Sequence, residues 1–557
     1  MSAPTGNKPA SASRSAGPAD LVLHNGAVYT FGMTVGGWTV AVCKDRIAYI
    51  GPDAGARDWI GSRTEAINLG GKMVLPGFHD SHLHPLLGGL GLLECRLTDP
   101  SAYPAQVRAY ADAHPDCAAV RGGGWLHGGF DEHGPRRELL DAVVPDRPVA
   151  LKACDVHSLW CNSKALEMAG IRAETPDPPG GRIERDPQTG QPSGTLREWS
   201  AMRLVDDRLP KAGQAERLAG ARAFQELAAR AGLVAVHDAM VKREDLEIYA
   251  ELERRGELLL RVSTSLLCEP DQGPDPLAEL RALQPRYCSR RLALRAVKFF
   301  LDGVVEAHTA FLLEPYSDRP AWRGEPLWES GPYERLVSAL DREGVQVHVH
   351  AIGDASVRMA LDAFQHARAA NGPRDTRHQI AHLDLVAPDD LPRFKQLAVV
   401  ANVQPAWFYE DAGFRKNSLP FLGPDRAHQL YKLQSLIGAG AFVTCSSDWP
   451  AGGEFITLSP LEAIRIGVTR LGIADGVKEV FLPAERVALW TLLDCYTANA
   501  AFVEFLYEAA GSLEAGRLAD IVVLDRNLFE VPAEEIHTAK VQLTVCEGRI
   551  AFRDPAL

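Results

Sequence analysis

The feature that most restricts the fold of this sequence is a long alternation of short apolar segments with amphipathic helices. This alternation is typical of a parallel β-sheet whose strands are joined by helices, and helices are predicted at residues 215–231 and 356–371. We predict eight strands, the number that a closed (β/α)₈ barrel of the TIM type requires. The predicted strands comprise residues 73–78, 233–236, 259–264, 294–300, 345–350, 377–382, 398–402 and 441–446.

The first and second predicted strands are unusually far apart. Roughly 150 residues separate them, where a βα unit needs only about 30. We therefore predict an inserted subdomain at about residues 90–210, with a strand at 148–154 and a Pro/Gly-rich loop at 175–181. An insertion after the first strand lies on the catalytic face of a barrel and can cover the site.

Both ends of the chain contain strand-like segments around this α/β body. Residues 21–73 plus 508–557 are predicted to form a small β-sandwich, and residues 74–507 the barrel with its insertion. Residues 1–20 are rich in Pro, Ala, Ser and Gly and lack the apolar segment of a signal peptide. We interpret them as a disordered tail.

Charge and cysteine usage narrow the location and the partners. Lys and Arg number 59 against 72 Asp and Glu, a net charge of −13, which argues against nucleic acid or an anionic membrane as partner. No segment reaches the ~18 apolar residues that span a bilayer. The ten cysteines form no C-x-x-C pair, which favours free thiols in a reducing compartment. We expect a cytoplasmic protein that acts on a small molecule and forms a homodimer.

The strongest local signal is the segment Pro76-Gly-Phe-His-Asp-Ser-His-Leu-His84. His82 and His84 are two residues apart, so on an extended segment both side chains point the same way. At the carboxyl end of a barrel strand they would converge on the central mouth. Two imidazoles there can hold one metal ion. Taken alone, the same spacing also occurs at ordinary strand ends.

Three further strands end in residues of the same kind. The fifth predicted strand ends in His348-Val-His350, the sixth in His382, and the eighth runs into Asp448. Barrel enzymes place their chemistry where the strands stop. Asp448 alone could be a helix N-cap. Imidazoles and a carboxylate from four strands predict a metal centre with positions open to water.

Lys298 lies within an apolar strand, so we expect its side chain to point into the barrel. A lone buried ammonium is costly. Two interpretations stay open. The lysine could pair with Asp302 or Glu306, or its neutral amine could combine with CO₂ to form a carbamate that bridges two metals.

Taken together, these motifs resemble the amidohydrolase superfamily. The sequence is similar to the branch that holds N-substituted formamide deformylases and exoenzyme-regulatory-type proteins. The resemblance begins at residues 76–84 and extends over most of the chain. It continues at residues 155–166, 298–303, 350–354, 377–382, 447–450 and 511–520. These segments are specific for the branch and say little about the substrate.

The resemblance implies a ligand set for one or two Zn²⁺ ions per chain, or another divalent metal. The implied ligands are His82, His84 and Asp448 for the more buried metal, His350 and His382 for the second, and a carboxylated Lys298 between them. His348 is left out as a core histidine behind the ligands. Two positions depart from the commonest pattern of the branch, His79 and the segment Val305-Glu-Ala-His308. The second is expected to face the pocket and to mark a different substrate.

We predict that the protein hydrolyses a C–N bond in an amide, N-substituted formamide, urea or carbamate. Metal-activated hydroxide would attack the carbonyl, with Asp448 as general acid and base. Two alternatives are another metal-assisted hydrolysis (ester cleavage or deamination) and a non-catalytic regulatory relative. The intact ligand set argues against the latter. The sequence has no phosphate-binding glycine loop and no G-x-S-x-G serine motif.

Further side chains are candidates for substrate binding, each with a plain structural alternative. His157 could bind a carbonyl oxygen or be a surface histidine, and Trp125 could wall the pocket or follow a plain turn. Gln404 and Trp407 could line the mouth or pack in the core. The full set of candidates is His157, Trp125, His237, Glu306, Gln404 and Trp407.

Overall fold

A computed structural model describes residues 17–30, 32–270, 275–452, 455–473 and 479–557. Its strands in chain order are β1 (Leu21–Thr30), β2 (Met33–Cys43), β3 (Arg46–Pro52), β4 (Glu65–Asn68), β5 (Met73–Pro76), β6 (Phe78–Leu83), β7 (Cys95–Arg96), β8 (Val120–Trp125), β9 (Val149–Ala153), β10 (Ser158–Cys161), β11 (Arg182–Arg185), β12 (Pro192–Arg197), β13 (Leu233–Val241), β14 (Arg261–Leu267), β15 (Leu292–Phe300), β16 (Gln346–Ala351), β17 (Gln379–His382), β18 (Val400–Val403), β19 (Phe442–Cys445), β20 (Ile521–Leu524), β21 (Val541–Cys546) and β22 (Arg549–Arg553).

The α-helices fall between these strands, mostly around the central sheet. They are α1 (Pro85–Gly91), α2 (Tyr103–Ala113), α3 (Arg137–Asp141), α4 (Ser163–Ala169), α5 (Glu198–Asp206), α6 (Gln214–Arg230), α7 (Arg243–Arg254), α8 (Pro276–Tyr287), α9 (Ser330–Arg342), α10 (Asp354–Asn371), α11 (Leu391–Leu397), α12 (Leu419–Leu422), α13 (Pro424–Ala427), α14 (Leu433–Gly438), α15 (Pro460–Thr469), α16 (Leu489–Cys495) and α17 (Ala498–Val503). Within the described ranges, no helix combines the length and the apolar character that crossing a membrane requires.

The eight central strands form a parallel barrel in the order β6, β13, β14, β15, β16, β17, β18 and β19. Its two end strands are joined by side chains. Ser81 Oγ on β6 donates to the carbonyl oxygen of Cys445 on β19 at 2.9 Å, and Asn402 Nδ2 donates to Ser81 O at 3.1 Å. The predicted fold class is therefore confirmed. All eight strands run the same way, so their carboxyl ends meet at one rim.

The barrel helices bury one face against the sheet, as the apolar spacing requires. In α10, Val357, Leu361 and Phe364 follow each other at intervals of four and three residues, and each is at most 2% exposed. This spacing places them on one side of a helix. Helix α10 therefore packs its apolar side against the barrel core.

The first barrel strand differs from the prediction. Met73–Pro76 does not belong to the barrel but pairs with β20 and β1 of the terminal sheet, and the barrel begins with Phe78–Leu83. Gly77 separates the two strands, and a Cβ at this position would lie 2.4 Å from Val234. The prediction failed because β6 contains polar residues, whereas the preceding segment is uniformly apolar.

The two chain ends assemble into one eight-stranded sheet, with β20 from the carboxyl end paired to β5 from the amino end. Residues from both ends, such as Leu23 and Val545, share an apolar core. Of the predicted disordered tail, residues 1–16 lie outside the described residues. Residues 17–20 are part of the fold, because Ala19 is buried and its N–H donates to Trp59 O at 2.8 Å.

The predicted insertion is a separate unit with its own sheet, in the order β11, β12, β10, β9, β8 and β7. Its core contains Trp125 and Trp160, which are both fully buried. The loops that follow β8 and β9 reach over the barrel mouth, where Gly452 N–H donates to Cys154 O at 3.1 Å. The insertion thus covers the rim at which the barrel strands end.

Candidate metal centre

The segments that carry His82, His84 and Asp448 are held together by backbone hydrogen bonds. Asp448 N–H donates to His82 O at 2.9 Å, and His84 N–H donates to Trp449 O at 2.8 Å. Asp448 has a φ of 58°, a left-handed conformation that is uncommon for residues other than glycine. Such backbone strain is found preferentially at functional sites. The backbone therefore positions the Asp448 carboxylate beside the first barrel strand.

Three side chains form a compact group of possible metal ligands. One ligand atom each of His82, His382 and Asp448 lies within 4.8 Å of the others, and all three residues are buried. Asp448 Oδ1 is 3.2 Å from His82 Nε2 and 3.2 Å from His84 Nε2. Three barrel strands, β6, β17 and β19, thus deliver imidazoles and a carboxylate to one point.

Lys298 and His350 adjoin this group. Lys298 Nζ lies 3.4 Å from His82 Nε2, and the His350 and His382 rings have centroids 4.4 Å apart. Burial lowers the pKa of Lys298 to about 7, although Asp448 opposes this. The amine is therefore substantially neutral near pH 7.

The structure does not support pairing of Lys298 with Asp302 or Glu306. Among the salt bridges of the described residues, none involves Lys298. Asp302 instead accepts the backbone N–H groups of Ile352 at 3.1 Å and of Gly353 at 2.9 Å. It thereby holds the loop after β16, which follows directly on His350.

Two of the histidines are oriented by a partner on the far side of the ring. His82 Nδ1 is 2.7 Å from His348 Nε2, and His382 Nδ1 is 3.2 Å from Gln404 Oε1. Gln404 in turn donates to Ser446 Oγ at 2.8 Å. Such partners fix which ring nitrogen faces a metal. In the His82 ring the remaining nitrogen, Nε2, faces the centre, 3.2 Å from Asp448 Oδ1.

Two donor atoms of this group lack a hydrogen-bond partner, as a cation site requires. They are His382 Nε2 and Asp448 Oδ1, and both are buried. Burial holds the pKa of His82 well below its usual value and lowers that of His382 to about 3. The imidazoles are therefore neutral, and a neutral imidazole is the form that binds a metal. Buried orphaned donor atoms of this kind fit a divalent ion.

Asp448 retains its negative charge. Burial opposes the charged form, but the imidazoles of His382 and His84 and the Lys298 amine outweigh it and hold the pKa of Asp448 below its usual value. His382 thus lies close to His82 and Asp448, and His350 and Lys298 adjoin this group.

A cavity opens from this centre between the barrel loops and the insertion. Its walls include three of the predicted substrate-binding residues, His157, Glu306 and Trp407. The Trp407 ring stacks on His382 with centroids 5.7 Å apart and an interplanar angle of 9°. Cys154 and Asp155 contribute from the insertion. The cavity thus connects the centre with groups that a substrate would contact.

The structure places the other three predicted substrate-binding residues away from the cavity. Trp125 is 0% exposed in the insertion core and donates from Nε1 to Leu151 O at 2.8 Å. His237 is buried behind His348, with Nε2 2.7 Å from Ser265 Oγ. Gln404 is 0% exposed and contacts His382 instead of the cavity. Direct contact of these three side chains with a substrate is not supported.

His157 is paired with a carboxylate that the sequence did not reveal. Its Nδ1 lies 2.8 Å from Glu198 Oε2, and Thr309 Oγ1 donates to Glu198 Oε1 at 2.5 Å. Burial disfavours the charged imidazole, but Glu198 outweighs it and raises the pKa of His157 to about 9. His157 is therefore a cation at neutral pH, and the cavity receives a hydrogen-bond donor from the insertion.

Two further acidic residues near the centre were missed by the sequence reasoning. Asp80 accepts the N–H groups of Ser447 at 3.1 Å and His82 at 3.3 Å, and so connects the two ligand-bearing segments. Asp384 lines the cavity two residues beyond His382. Burial, together with Glu306 and Asp302, holds the pKa of Asp384 well above its usual value. Its position after an apolar strand is the same signal that identified His382.

The barrel and the histidine–aspartate centre at its mouth define the class of metal-dependent hydrolases. The sequence model of the amidohydrolase family matches residues 65–552, and the chain belongs to this family. A structure of an uncharacterized metal-dependent hydrolase from Pyrococcus furiosus superimposes with a TM-score of 0.69 at 28% sequence identity. That comparison covers 91% of this chain and 99% of the other.

Two curated relatives span most of the chain. The LONG AFTER FAR-RED 3 protein of Arabidopsis thaliana is 31% identical over 548 residues, which are 95% of this chain and 91% of the relative. An N-substituted formamide deformylase of Arthrobacter pascens is 27% identical over 534 residues, 92% of this chain and 94% of the relative. The first name describes no reaction, and the second describes removal of a formyl group from an amide nitrogen.

Proposed function

We propose that this protein is a metal-dependent hydrolase that cleaves the C–N bond of an amide, with N-substituted formamides as the first substrates to examine. The observation that carries the proposal is the buried group of His82, His382 and Asp448, in which His382 Nε2 and Asp448 Oδ1 have no hydrogen-bond partner. The N-substituted formamide deformylase supports the choice of bond, since it is similar over 92% of this chain.

A divalent ion, most simply Zn²⁺, would be held by His82, His84, His382 and Asp448, with His350 beside them. When bound, such an ion supplies Lewis acidity to a carbonyl group and to a water molecule. Zinc in hydrolases is commonly held by imidazole and carboxylate ligands with one position left open. The donor set of this chain has that composition.

Asp448 is the residue that we assign to proton transfer. Its carboxylate is charged, buried and directed into the cavity, so it can accept the proton of the attacking water. It can then deliver that proton to the departing nitrogen, which must be protonated to leave as an amine. One side chain thereby serves as base and then as acid.

His157 is assigned to the carbonyl oxygen. Its Nδ1 is occupied by Glu198, so the Nε2 N–H is the donor that faces a ligand in the cavity. A donor fixed in advance costs little reorganisation when negative charge develops on that oxygen. The insertion that supplies His157 also covers the barrel mouth and limits the access of water.

Lys298 is proposed to carry a carbamate. Its low pKa leaves a free amine, whose nitrogen can form a bond to the carbon of CO₂ with release of one proton. The product is a carboxylate, which would turn an isolated buried amine into a metal ligand. The 3.4 Å contact between Lys298 Nζ and His82 Nε2 places this group beside the centre.

The test is a substrate panel offered to the purified, zinc-loaded protein. Matched N-substituted formamides, amides, ureas, carbamates and esters are compared, and the released amine or alcohol is quantified. The proposal expects release of an amine from a formamide or amide that depends on the metal. Release from the esters alone, with every C–N substrate intact, would overturn the choice of bond.

A paired variant separates catalysis from contamination. Asp448→Asn should abolish turnover, whereas Asp389→Asn removes the same charge from an exposed position after the same barrel strand as His382 and should leave it intact. Equal turnover by Asp448→Asn and the wild-type protein would remove Asp448 from the mechanism.

A further inference from the structure

The charges on the cavity wall are strongly one-sided. Five carboxylates line it, and within the described part of the chain no lysine or arginine does. Two of the five carboxylates have other roles. Asp448 lies in the metal centre, and Asp155 Oδ2 lies 2.7 Å from His127 Nε2. The remaining three are Glu306, Asp384 and Asp411. They come from loops after different barrel strands.

Two of these carboxylates, Glu306 and Asp384, are termed the acidic pair. Asp384 is 8% exposed, and its Oδ1 is buried without a hydrogen-bond partner. The side-chain hydrogen bond to the Glu306 carboxylate is a long one of 3.5 Å, donated by Ser418 Oγ. A buried carboxylate oxygen without a donor is costly, and structures keep such groups mainly where a ligand supplies the partner.

Basic side chains in neighbouring segments are engaged elsewhere. The Lys416 ammonium donates to Gly128 O at the surface. The guanidinium of Arg470 lies against the rings of Phe408 and Phe481 and donates to Tyr431 O at 3.1 Å. Among the salt bridges of the described residues, none involves Glu306 or Asp384. Lys416 and Arg470 therefore supply no counter-charge to the pair, and the cationic His157 on the same cavity wall is already paired with Glu198. Burial raises the pKa of Glu306 and Asp384, and a cationic ligand group would hold both carboxyl groups in the charged form.

The acidic pair is distinct from the metal ligands within the same cavity. A smaller adjoining pocket is lined by His82, His84 and Asp448, and neither member of the pair belongs to it. Tyr431, whose N–H donates to Asp384 O at 2.8 Å, lines the larger cavity beside the pair. The Tyr431 side chain also hydrogen-bonds to the Asp384 carboxylate, so Oδ1 is the oxygen of Asp384 that is left for a ligand.

We propose that the acidic pair binds a protonated nitrogen of the substrate, so that the preferred substrates are amides bearing a second, cationic amine. This inference rests on the proposed function for the position of the scissile bond, and deepens it by naming the substrate class. An ammonium group donates to Asp384 Oδ1 and to the Glu306 carboxylate, while the amide of the same molecule lies at the metal centre.

Binding can be tested without turnover. The zinc-loaded protein is titrated calorimetrically with three probes of similar shape and different charge: phenethylammonium, phenethyl alcohol and hydrocinnamate. Hydrogen bonds to charged groups predict that the ammonium binds about ten- to hundred-fold more tightly than the alcohol. The carboxylate probe should bind most weakly. Equal affinity for the ammonium and the alcohol would overturn the inference.

Variants assign the preference to the acidic pair instead of the metal. Glu306→Gln and Asp384→Asn preserve shape, and each should remove most of the preference for the ammonium without reducing affinity for the alcohol. Glu226→Gln and Asp389→Asn remove the same charges from exposed positions and should leave the preference unchanged. An unchanged preference in both cavity variants would show that the ammonium binds elsewhere.

Turnover then separates this inference from the proposed function. A formamide with a terminal ammonium is compared with its uncharged alkyl isostere, and kcat/KM for the charged compound should be about ten- to hundred-fold higher. Equal kcat/KM for both compounds would contradict the inference and leave C–N hydrolysis standing. Absence of turnover with a retained ammonium preference in binding would contradict the proposed reaction and leave the recognition site standing.

Discussion

The metal centre and the acidic pair form two parts of one cavity, yet they are built differently. His82 and His382 stand on barrel strands, and their rings are fixed from behind by His348 and Gln404. Glu306 and Asp384 stand on loops beyond the strands, and Asp384 Oδ1 has no partner. The comparison teaches that the two imidazoles are held on barrel strands, whereas the carboxylates of the cavity, Asp448 included, stand on the segments that follow the strands. In the proposed function the imidazoles hold the metal, and the acidic pair selects the substrate.

The largest effect is expected from Asp448→Asn. The amide cannot accept a proton from water, so kcat should fall by about 10²- to 10⁴-fold on the best substrate of the panel. The measurement is steady-state turnover at matched zinc content, with Asp389→Asn as the control. A loss below about ten-fold would show that proton transfer does not depend on Asp448.

Gln404→Leu tests whether the side chain that orients the His382 ring contributes to metal binding. Loss of the Gln404 Oε1 contact frees the His382 ring, and loss of such a partner typically weakens metal affinity or activity by about 10- to 100-fold. Zinc affinity is measured by competition with a chelator. Gln188→Leu, an exposed position in the insertion, is the control. Unaltered zinc affinity would show that the Gln404 contact is not needed to orient the His382 ring for metal binding.

A smaller effect is expected from Trp407→Ala. The indole stacks on His382 and lines the cavity, so its loss should raise KM for an aromatic formamide about three- to ten-fold with little change in kcat. Trp490→Ala, a half-exposed tryptophan away from the cavity, is the control. A change confined to kcat would show that Trp407 acts in the chemical step instead of in substrate binding.

The smallest effect concerns the charge of His157. Its pKa is raised from 6.5 to about 9 by Glu198, against burial, so pairing stabilises the fold below pH 6.5 and the benefit is lost as pH rises through about 9. The wild-type protein should therefore exceed His157→Gln in Tm by a few degrees below pH 6.5, and the gap should close above pH 9. Exposed His366→Gln is the control. A difference in Tm that does not change with pH would show that His157 is not protonated in the folded protein.

The features that could be predicted from the sequence are those that depend on residues close together in the chain. Seven barrel strands were located by apolar runs, and His82, His84, His382 and Asp448 by their positions at strand ends. The first strand was misplaced because β6 is polar. Apolar composition cannot identify a strand whose inward side chains are the ligands themselves.

The parts that could not be predicted depend on contacts between distant segments. Gly122, Gly123 and Gly124, which precede Trp125, lie in strand β8 and not in a turn. A Cβ on Gly122 would lie 1.9 Å from Cys95 O, so glycine serves close packing of neighbouring strands. Trp125 accordingly points into the core. The pairing of His157 with Glu198, 41 residues apart, has no sequence signature because only the insertion's fold brings them together.

The central claim is that imidazoles and a carboxylate from separate barrel strands hold a divalent ion. Its most direct test is the metal content of the purified and dialysed protein by mass spectrometry, compared with a triple alanine variant of His82, His382 and Asp448. The wild-type protein should retain about one or two equivalents of divalent ion per chain, and the folded variant essentially none. A metal-free wild-type protein that turns over substrate in excess chelator, or a variant that retains as much metal, would contradict the account.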